Sequence, residues 1–361
     1  MSAVQTIRIP SDEGDSRLDR WLKKRFPGLS QGVIEKWCRT GQLRVDGGRV
    51  KAATRVAPGQ EVRVPPIPAE LTMPLVDVDG NPVGRQPARP AGPSDADAKM
   101  IQDAVLFQDQ HLIVLNKPPG LPSQGGSGLG DRHVDALSEA LKFGYKERPK
   151  LVHRLDKDTS GVLVLARTDR VARALSESFR HRDTRKIYWA MVAGVPQPRK
   201  GTIKFGLVKA PGHGRGGEGE RMIAVHPDRI AATEGAKRAA TDYAVLEVLA
   251  NRASWCALSP ITGRTHQLRA HMAEIGNPII GDGKYGGSGQ ENPGDGWGAQ
   301  LGGDISRKLH LHARSLTFEH PITKKLVTFT APLPDHMRKT WKTFGWQESD
   351  APEDPFARGP V

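Results

Sequence analysis

The chain has 361 residues, enough for two or three domains, and its 37% hydrophobic content supplies at least one core. Lysine and arginine outnumber aspartate and glutamate 53 to 40, a formal net charge of +13. That excess suits a phosphate backbone and brings little to an enzyme of small neutral substrates, although a merely solubilising surface would carry it equally well. The two cysteines, Cys38 and Cys256, form neither a C-x-x-C pair nor a disulfide framework. With no signal-like segment and no apolar run of membrane length, a reducing cytoplasm is the expected compartment.

In chain order, Leu18, Trp21, Leu22 and Phe26 recur at helical spacing, with Ser16 and Asp19 placed as a capping box and Pro27-Gly28 as the stop. A second helix is expected from Ser30, burying Val33, Ile34 and Trp37 and ending at Gly41. Leu43 and Val45 lead into an Asp46-Gly47-Gly48 hairpin turn, and Val62 and Val64 close the unit. Its polar faces carry Arg17, Arg20, Lys23, Lys24, Lys36, Arg39, Arg44, Arg49 and Lys51. Residues 65–93 hold eight prolines and few large apolar groups, the composition of an extended linker.

From about Met100 the pattern turns to short apolar strands between Gly/Pro turns, with few helices. Strands fall at 105–107 and 112–115, around the Asp109-Gln110 turn, and at 162–166, 187–192, 243–249, 255–258, 316–318 and 326–329. Val171, Ala172, Leu175 and Phe179 share one helix face. Regular β-α-β alternation is missing, which predicts an α+β fold with a mixed, largely antiparallel sheet. The glycine-rich stretches 125–130, 209–220 and 281–303 have neither P-loop nor dinucleotide-binding spacing and read as loops. No cofactor is expected.

The segment Leu151-Val152-His153-Arg154-Leu155-Asp156-Lys157-Asp158-Thr159-Ser160-Gly161 is a charge-dense loop entering a buried strand. Neighbouring Arg and Lys favour the ionised form of its carboxylates, and an ionised carboxylate can act as nucleophile or base. From the residues alone, a surface ion-pair loop explains the segment at least as well. Asp158 is read as structural, fixing the turn by hydrogen bonds. Thr265 is expected to cap a helix carrying Leu268, Met272 and Ile275. His266 and His271 lie five residues apart, a poor spacing for one helical face, so no metal site is expected.

His153-Arg154-Leu155-Asp156 with Thr159-Ser160-Gly161 resembles the signature of the RluA/RluC branch of pseudouridine synthases. Lys186-Ile187-Tyr188-Trp189-Ala190 resembles that family's second motif, and Thr262-Gly263-Arg264-Thr265-His266-Gln267-Leu268-Arg269-Ala270-His271 its third. Asn116-Lys117-Pro118-Pro119-Gly120 and Pro278-Ile279-Ile280-Gly281-Asp282 match an early and a late motif, so the likeness spans about residues 100–335. The first unit, about residues 15–66, resembles the α-L RNA-binding domain of ribosomal small-subunit protein four. Together the layout is similar to the RluC type, which modifies large-subunit ribosomal RNA. The linker and the glycine-rich insertions are longer than the family's pattern, which bears on target choice and not on the chemistry.

The resemblance implies an α-L RNA-binding domain at 1–66, a Pro-rich linker at 67–99, a catalytic domain of pseudouridine synthase fold at 100–345 and a disordered tail at 346–361. It implies isomerisation of several uridines of large-subunit (23S) ribosomal RNA by a cytoplasmic monomer without cofactor, metal, membrane or obligate protein partner. Asp156 would be the catalytic carboxylate, either attacking the sugar or removing a ribose proton. Arg269 would pair with it, Tyr188 would stack on the displaced uracil, and Arg154 would enter the space the base leaves. Lys157, Arg264 and His266 would contact RNA around the site, and Arg17, Arg20, Lys36, Arg39 and Arg44 would do so from the first domain. Two rivals use the same residues differently. A non-catalytic RNA-binding or ribosome-assembly protein has no need of Asp156, Tyr188 and Arg269 together, and an RNA methyltransferase would show a glycine-rich cofactor loop.

Overall fold

The computed structural model describes residues 4–10, 13, 16–26, 28–67, 75–76, 82–83, 92–125, 132–179, 184–210, 221–286 and 305–357. The chain divides into two compact units, Met1–Ala91 and Gly92–Val361.

In the first unit, helices Leu18–Arg25 and Gln31–Thr40 pack on a four-stranded sheet ordered Gln5–Arg8, Glu61–Val64, Arg44–Val45, Gly48–Arg49. Leu18, Leu22, Ile34, Leu43, Val62 and Val64 are sealed in its core. Ser30 caps the second helix, its hydroxyl accepting the Val33 N–H at 3.4 Å, and Gly41 ends it in the left-handed region. Asp46 and Gly47 both have positive φ, as a two-residue hairpin turn requires. The expected capping box at Ser16 is not formed. Ser16 is drawn into a two-residue strand against Arg55–Val56, Arg17 takes the N-cap position, and Asp19 turns to Arg17 at 2.6 Å.

The Pro-rich segment is shorter than the sequence suggests. Ile67 is buried in the first core, and Ser94 caps a helix, Asp95–Asp103, that buries Ile101 in the second unit. Between them Leu75–Val76 pairs with Pro82–Val83, and residues 68–74, 77–81 and 84–91 lie outside the described residues. So do 126–131, 211–220 and 287–304, which take most of the three glycine-rich stretches.

The second unit is built on a ten-stranded sheet. Its main strands are β1 (Val105–Gln108), β2 (Leu112–Lys117), β3 (Ser160–Ala166), β4 (Arg185–Ala193), β5 (Lys200–Ile203), β6 (Thr241–Leu249), β7 (Ala253–Pro260), β8 (Leu311–Glu319) and β9 (Leu326–Thr330). They run in the order β5-β6-β7-β4-β8-β3-β2-β1, with Lys150–Leu151 on β3 and β9 on β8. All of these contacts are antiparallel except a short parallel seam between β3 and β8. The fold is α+β with a mixed, largely antiparallel sheet, as the strand pattern predicts.

The seam pairs Ser160 with His312 and Gly161 with Ala313. One row then crosses the sheet: Lys117, Gly161, Ala313, Tyr188, Leu258, Tyr243. Paired side chains share a face, and the two smallest residues of the row stand between Lys117 and Tyr188. Gly161 has φ +110, and a Cβ there would lie 2.2 Å from the Ala313 carbonyl oxygen. No helix among the described residues is long and apolar enough to cross a membrane.

A disordered tail is expected after Trp346, but residues 346–357 pack on the second unit. Trp346 joins a cluster with Trp255 and Trp341, Phe356 packs against it, and Asp354 pairs with Arg185. The aromatic rings and this ion pair supply the burial that a window of mixed polarity conceals. Residues 358–361 lie outside the described residues.

Gly161→Ala is expected to destabilise the second unit by roughly 2–4 kcal/mol, combining a disfavoured φ with overpacking against backbone. Thermal unfolding measures it, and an unchanged midpoint would show that β3 and β8 part without cost.

Candidate active site

Asp156 lies in the turn between Lys150–Leu151 and β3. Backbone closes that turn, the Thr159 N–H donating to the Asp156 carbonyl at 3.2 Å. Asp158, expected to fix the turn through its side chain, is exposed. The loop is braced from behind by residues 117–123. Buried Ser123 donates its hydroxyl to the Leu155 carbonyl at 2.7 Å and accepts the Leu155 N–H at 3.0 Å. The fully buried Lys117 ammonium donates to the carbonyls of Pro118, Leu121 and Lys157 at 2.8–3.0 Å. Burial pulls its pKa down to about 7, against the charges of Asp158 and Asp156. The early motif, given no role from sequence, is thus the floor of the loop that carries Asp156.

Arg269 projects from the helix Gln267–Glu274. Its Nε and Nη2 donate to both oxygens of Asp282 at 2.7 Å each, a bidentate pair with side-chain exposures of 9% and 0%. Its Nη1 lies 3.8 Å from Asp156 Oδ2. Sequence reasoning pairs Arg269 with Asp156 alone, whereas the tight partner is Asp282. Burial opposes the guanidinium charge, but the Asp282 hydrogen bonds and the charges of Asp282 and Asp156 outweigh it and hold the pKa above its ordinary value. The Asp282 carboxylate also accepts the backbone N–H groups of Lys284 and Tyr285. Gly281, at φ +76 and pressed against the Lys308 carbonyl, makes the turn that brings Asp282 here.

Tyr188 stands on β4 at a register shift and packs with Leu155 and Ala313. Burial, and then the Asp156 charge, push its phenol well above the ordinary range, so it stays neutral. His266 has its Nε2 3.9 Å from Asp156 Oδ2 and its Nδ1 3.0 Å from the Tyr285 hydroxyl. It occupies the N-cap position of the helix at φ +51 with no capping side chain, in place of the expected Thr265. Thr265 Oγ1 instead accepts from Arg154 Nη2 at 2.9 Å. Lys157 and Arg264 are exposed near the loop and the helix start, with Arg264 Nε reaching the Arg238 carbonyl at 3.3 Å. His271 is fully buried between Thr241 and the Phe205 carbonyl, a structural position.

In the first unit Arg20, Lys36 and Arg39 are exposed. Arg17 is paired to Asp19, and Arg44 donates to the carbonyls of Gly41 and Gly47. Among the described residues no group of three or more His, Cys, Asp or Glu is placed to hold a metal ion.

The model of the RNA pseudouridylate synthase family matches residues 111–274, and that of the S4 domain residues 16–62. Over 338 residues the chain is 33% identical to the ribosomal large subunit pseudouridine synthase C of Vibrio cholerae, covering 93% of this chain and 95% of that one. The chain belongs to the RNA pseudouridine synthase family. It is an isomerase of uridine in RNA. The protein of the same name from Yersinia pestis is 35% identical over 93% of this chain and 94% of its own. RNA pseudouridine synthase 4, mitochondrial, of Arabidopsis thaliana is 33% identical over 94% of this chain and 81% of its own. Among solved structures, human RNA pseudouridylate synthase domain containing 4 superposes with a TM-score of 0.54 at 31% identity, over 69% of this chain and 95% of that one.

In the second unit His271, His310 and His312 are fully buried and His153 is half-buried, and desolvation keeps all four neutral. Desolvation pulls His153, His310 and His312 to about 3 and His271 to about 4. Unfolded, each takes its proton near pH 6.5. Below that pH the unfolded chain binds more protons than the folded one, so stability is full above 6.5 and falls as pH drops toward 4. Each histidine contributes up to about 1.4 kcal/mol per pH unit in that window. Urea midpoints are expected to fall steeply from pH 7 to 5, less steeply in His310→Gln. A flat profile would mean that these rings are protonated in the fold.

Proposed function

We propose that the enzyme isomerises several uridines of large-subunit (23S) ribosomal RNA, with Asp156 as the catalytic residue acting on a base flipped out of its stack. One observation carries the assignment of Asp156. Of the two carboxylates around Arg269, Asp282 is fully buried with both oxygens bound, whereas Asp156 keeps a side-chain exposure of 24%. Only Asp156 is open to a substrate.

The reaction breaks the bond from uracil N1 to ribose C1′ and forms one from C5 to C1′; C5 loses its proton and N1 gains one. No electron leaves, and no second substrate is consumed. Asp156 assists the first step by attack at the sugar or by taking a ribose proton. The uracil must turn before it rejoins, which a stacked base cannot do, so it leaves the helix. Tyr188 offers a neutral aromatic face to the free uracil. Arg154, exposed and steadied by Thr265, is placed to fill the gap and stack on the bases left behind. Lys157 and Arg264 add phosphate contacts beside the loop, and Arg20, Lys36 and Arg39 add them from the S4 domain, with Arg17 and Arg44 shaping that domain.

The ribosomal target is supported by the relatives named ribosomal large subunit pseudouridine synthase C, matched along nearly their full length. Two buried free thiols, Cys38 and Cys256, suit a reducing cytoplasm.

Asp156→Asn is expected to abolish isomerisation and leave RNA affinity near wild type; substantial turnover in the purified variant would overturn the assignment. Mapping pseudouridines in ribosomal RNA with and without the protein identifies the target. Lys36→Ala with Arg39→Ala is expected to flatten the plot of log affinity against log salt by about 1.4–1.8, at roughly 0.7–0.9 per phosphate contact. An unchanged slope would make that face a solvated cap.

A further inference from the structure

We propose that His266 is a positioning residue for Asp156, held by Tyr285 in the tautomer that carries its proton on Nε2, facing Asp156 Oδ2. The inference rests on the reading of Asp156 as the catalytic residue and adds a buried relay behind it.

The relay starts at backbone. The Met222 N–H donates to the Tyr285 hydroxyl oxygen at 2.8 Å. That oxygen lies 3.0 Å from His266 Nδ1. Tyr285 is 8% exposed, so its own O–H proton needs an acceptor inside the protein. His266 Nδ1 is the acceptor at hand. With Nδ1 accepting, the neutral imidazole bears its proton on Nε2. Were Nδ1 the donor, the Tyr285 oxygen would receive two protons and its hydroxyl would be left without an acceptor among the described residues. Burial, and then the charges of Arg269 and Lys284, hold the His266 pKa below its ordinary value in spite of Asp156, which keeps the ring neutral.

Geometry aims the proton. Nε2 lies 3.9 Å from Asp156 Oδ2, and Arg269 Nη1 approaches the same oxygen at 3.8 Å. Neither is yet a hydrogen bond; such contacts tighten when substrate closes a site. Two donors on Oδ2 leave Oδ1 as the working oxygen toward the ribose. The backbone of His266 is left-handed at φ +51, an uncommon state for a residue with a Cβ, and it turns the ring inward at the start of the helix. The Tyr285 ring is fixed in turn by the guanidinium groups of Arg269 and Arg221, 5.1 and 5.6 Å from its centroid.

The test uses the full-length enzyme on a substrate RNA. Tyr285→Phe removes one hydroxyl and should lower kcat roughly ten- to hundredfold, as loss of an orienting outer partner does at other sites, with KM and the melting temperature close to wild type. His266→Gln, whose amide N–H reaches toward the Nε2 position, should keep more activity than His266→Ala. Nitrogen-15 spectra of the imidazole should show the Nε2–H tautomer in the wild type and a mixture in Tyr285→Phe. An Nδ1–H ring in the wild type, a wild-type kcat in His266→Ala, or a defect confined to KM would overturn the proposal. Asp156→Asn run alongside separates the failures: activity there refutes the catalytic assignment itself, whereas its loss beside a normal His266→Ala refutes only the relay.

Discussion

The close approach of β3 and β8 at Gly161 is the contact on which the site depends. Six of the seven contacts along the main run of the sheet are antiparallel, and the single parallel contact lies between β3 and β8. The seam joins the halves through two residue pairs only. A side chain at 161 would collide with Ala313 backbone. Because the residue is glycine, Tyr188 and Lys117 come into one row, and the turn bearing Asp156 enters the sheet between them. The loop that carries Asp156 is therefore short and braced because of strand pairing beneath it, more than because of anything in the loop itself.

Charge at the site follows from the same crowding. A guanidinium with so little solvent needs a full counter-charge, and a bidentate carboxylate is the geometry that provides it. Asp282 meets that need so completely that Arg269 keeps one N–H side for Asp156. Had Asp156 been the sole partner, its oxygens would be bound as tightly as those of Asp282 and closed to anything outside the protein. A second carboxylate thus frees the first, and the arginine orients Asp156 without capturing it.

Periodicity reports the face a residue occupies but not its partner, and this divides what was legible from what was not. The buried run at 162–166, the hairpin about Asp109-Gln110 and the helix bearing Val171 and Leu175 all follow from local pattern. The position of Asp156 at the mouth of a buried strand follows from its motif. Asp282 stands in the quoted late motif, yet its role depends on a helix 13 residues earlier and on a left-handed turn at Gly281. Tyr285 falls in a glycine-rich stretch that reads as loop. Lys117 looks like the polar end of a strand, because nothing local shows that three carbonyls will converge on its ammonium. The caps expected from Ser16 and Thr265 failed for a related reason: a strand pairing and an arginine from another segment claimed those residues first.

The positive balance of the chain is distributed by the same rule. Arg269 is buried against Asp282, and Lys117 lowers its cost with backbone oxygens and a depressed pKa, so the interior carries little net charge. Among the described residues the buried charged side chains are Asp19, Lys117, Arg167, Arg269 and Asp282, which nearly cancel, and Lys36, Arg39, Lys157 and Arg264 are among the exposed cations that carry the excess. Salt screens exposed charges over a Debye length of about 8–10 Å but hardly touches a buried pair. Capture of a polyanion is therefore tunable by ionic strength, while the pair that orients Asp156 is not. The two are separated by burial within one chain, so a cationic surface can be strengthened or relaxed without disturbing the buried pair beside Asp156.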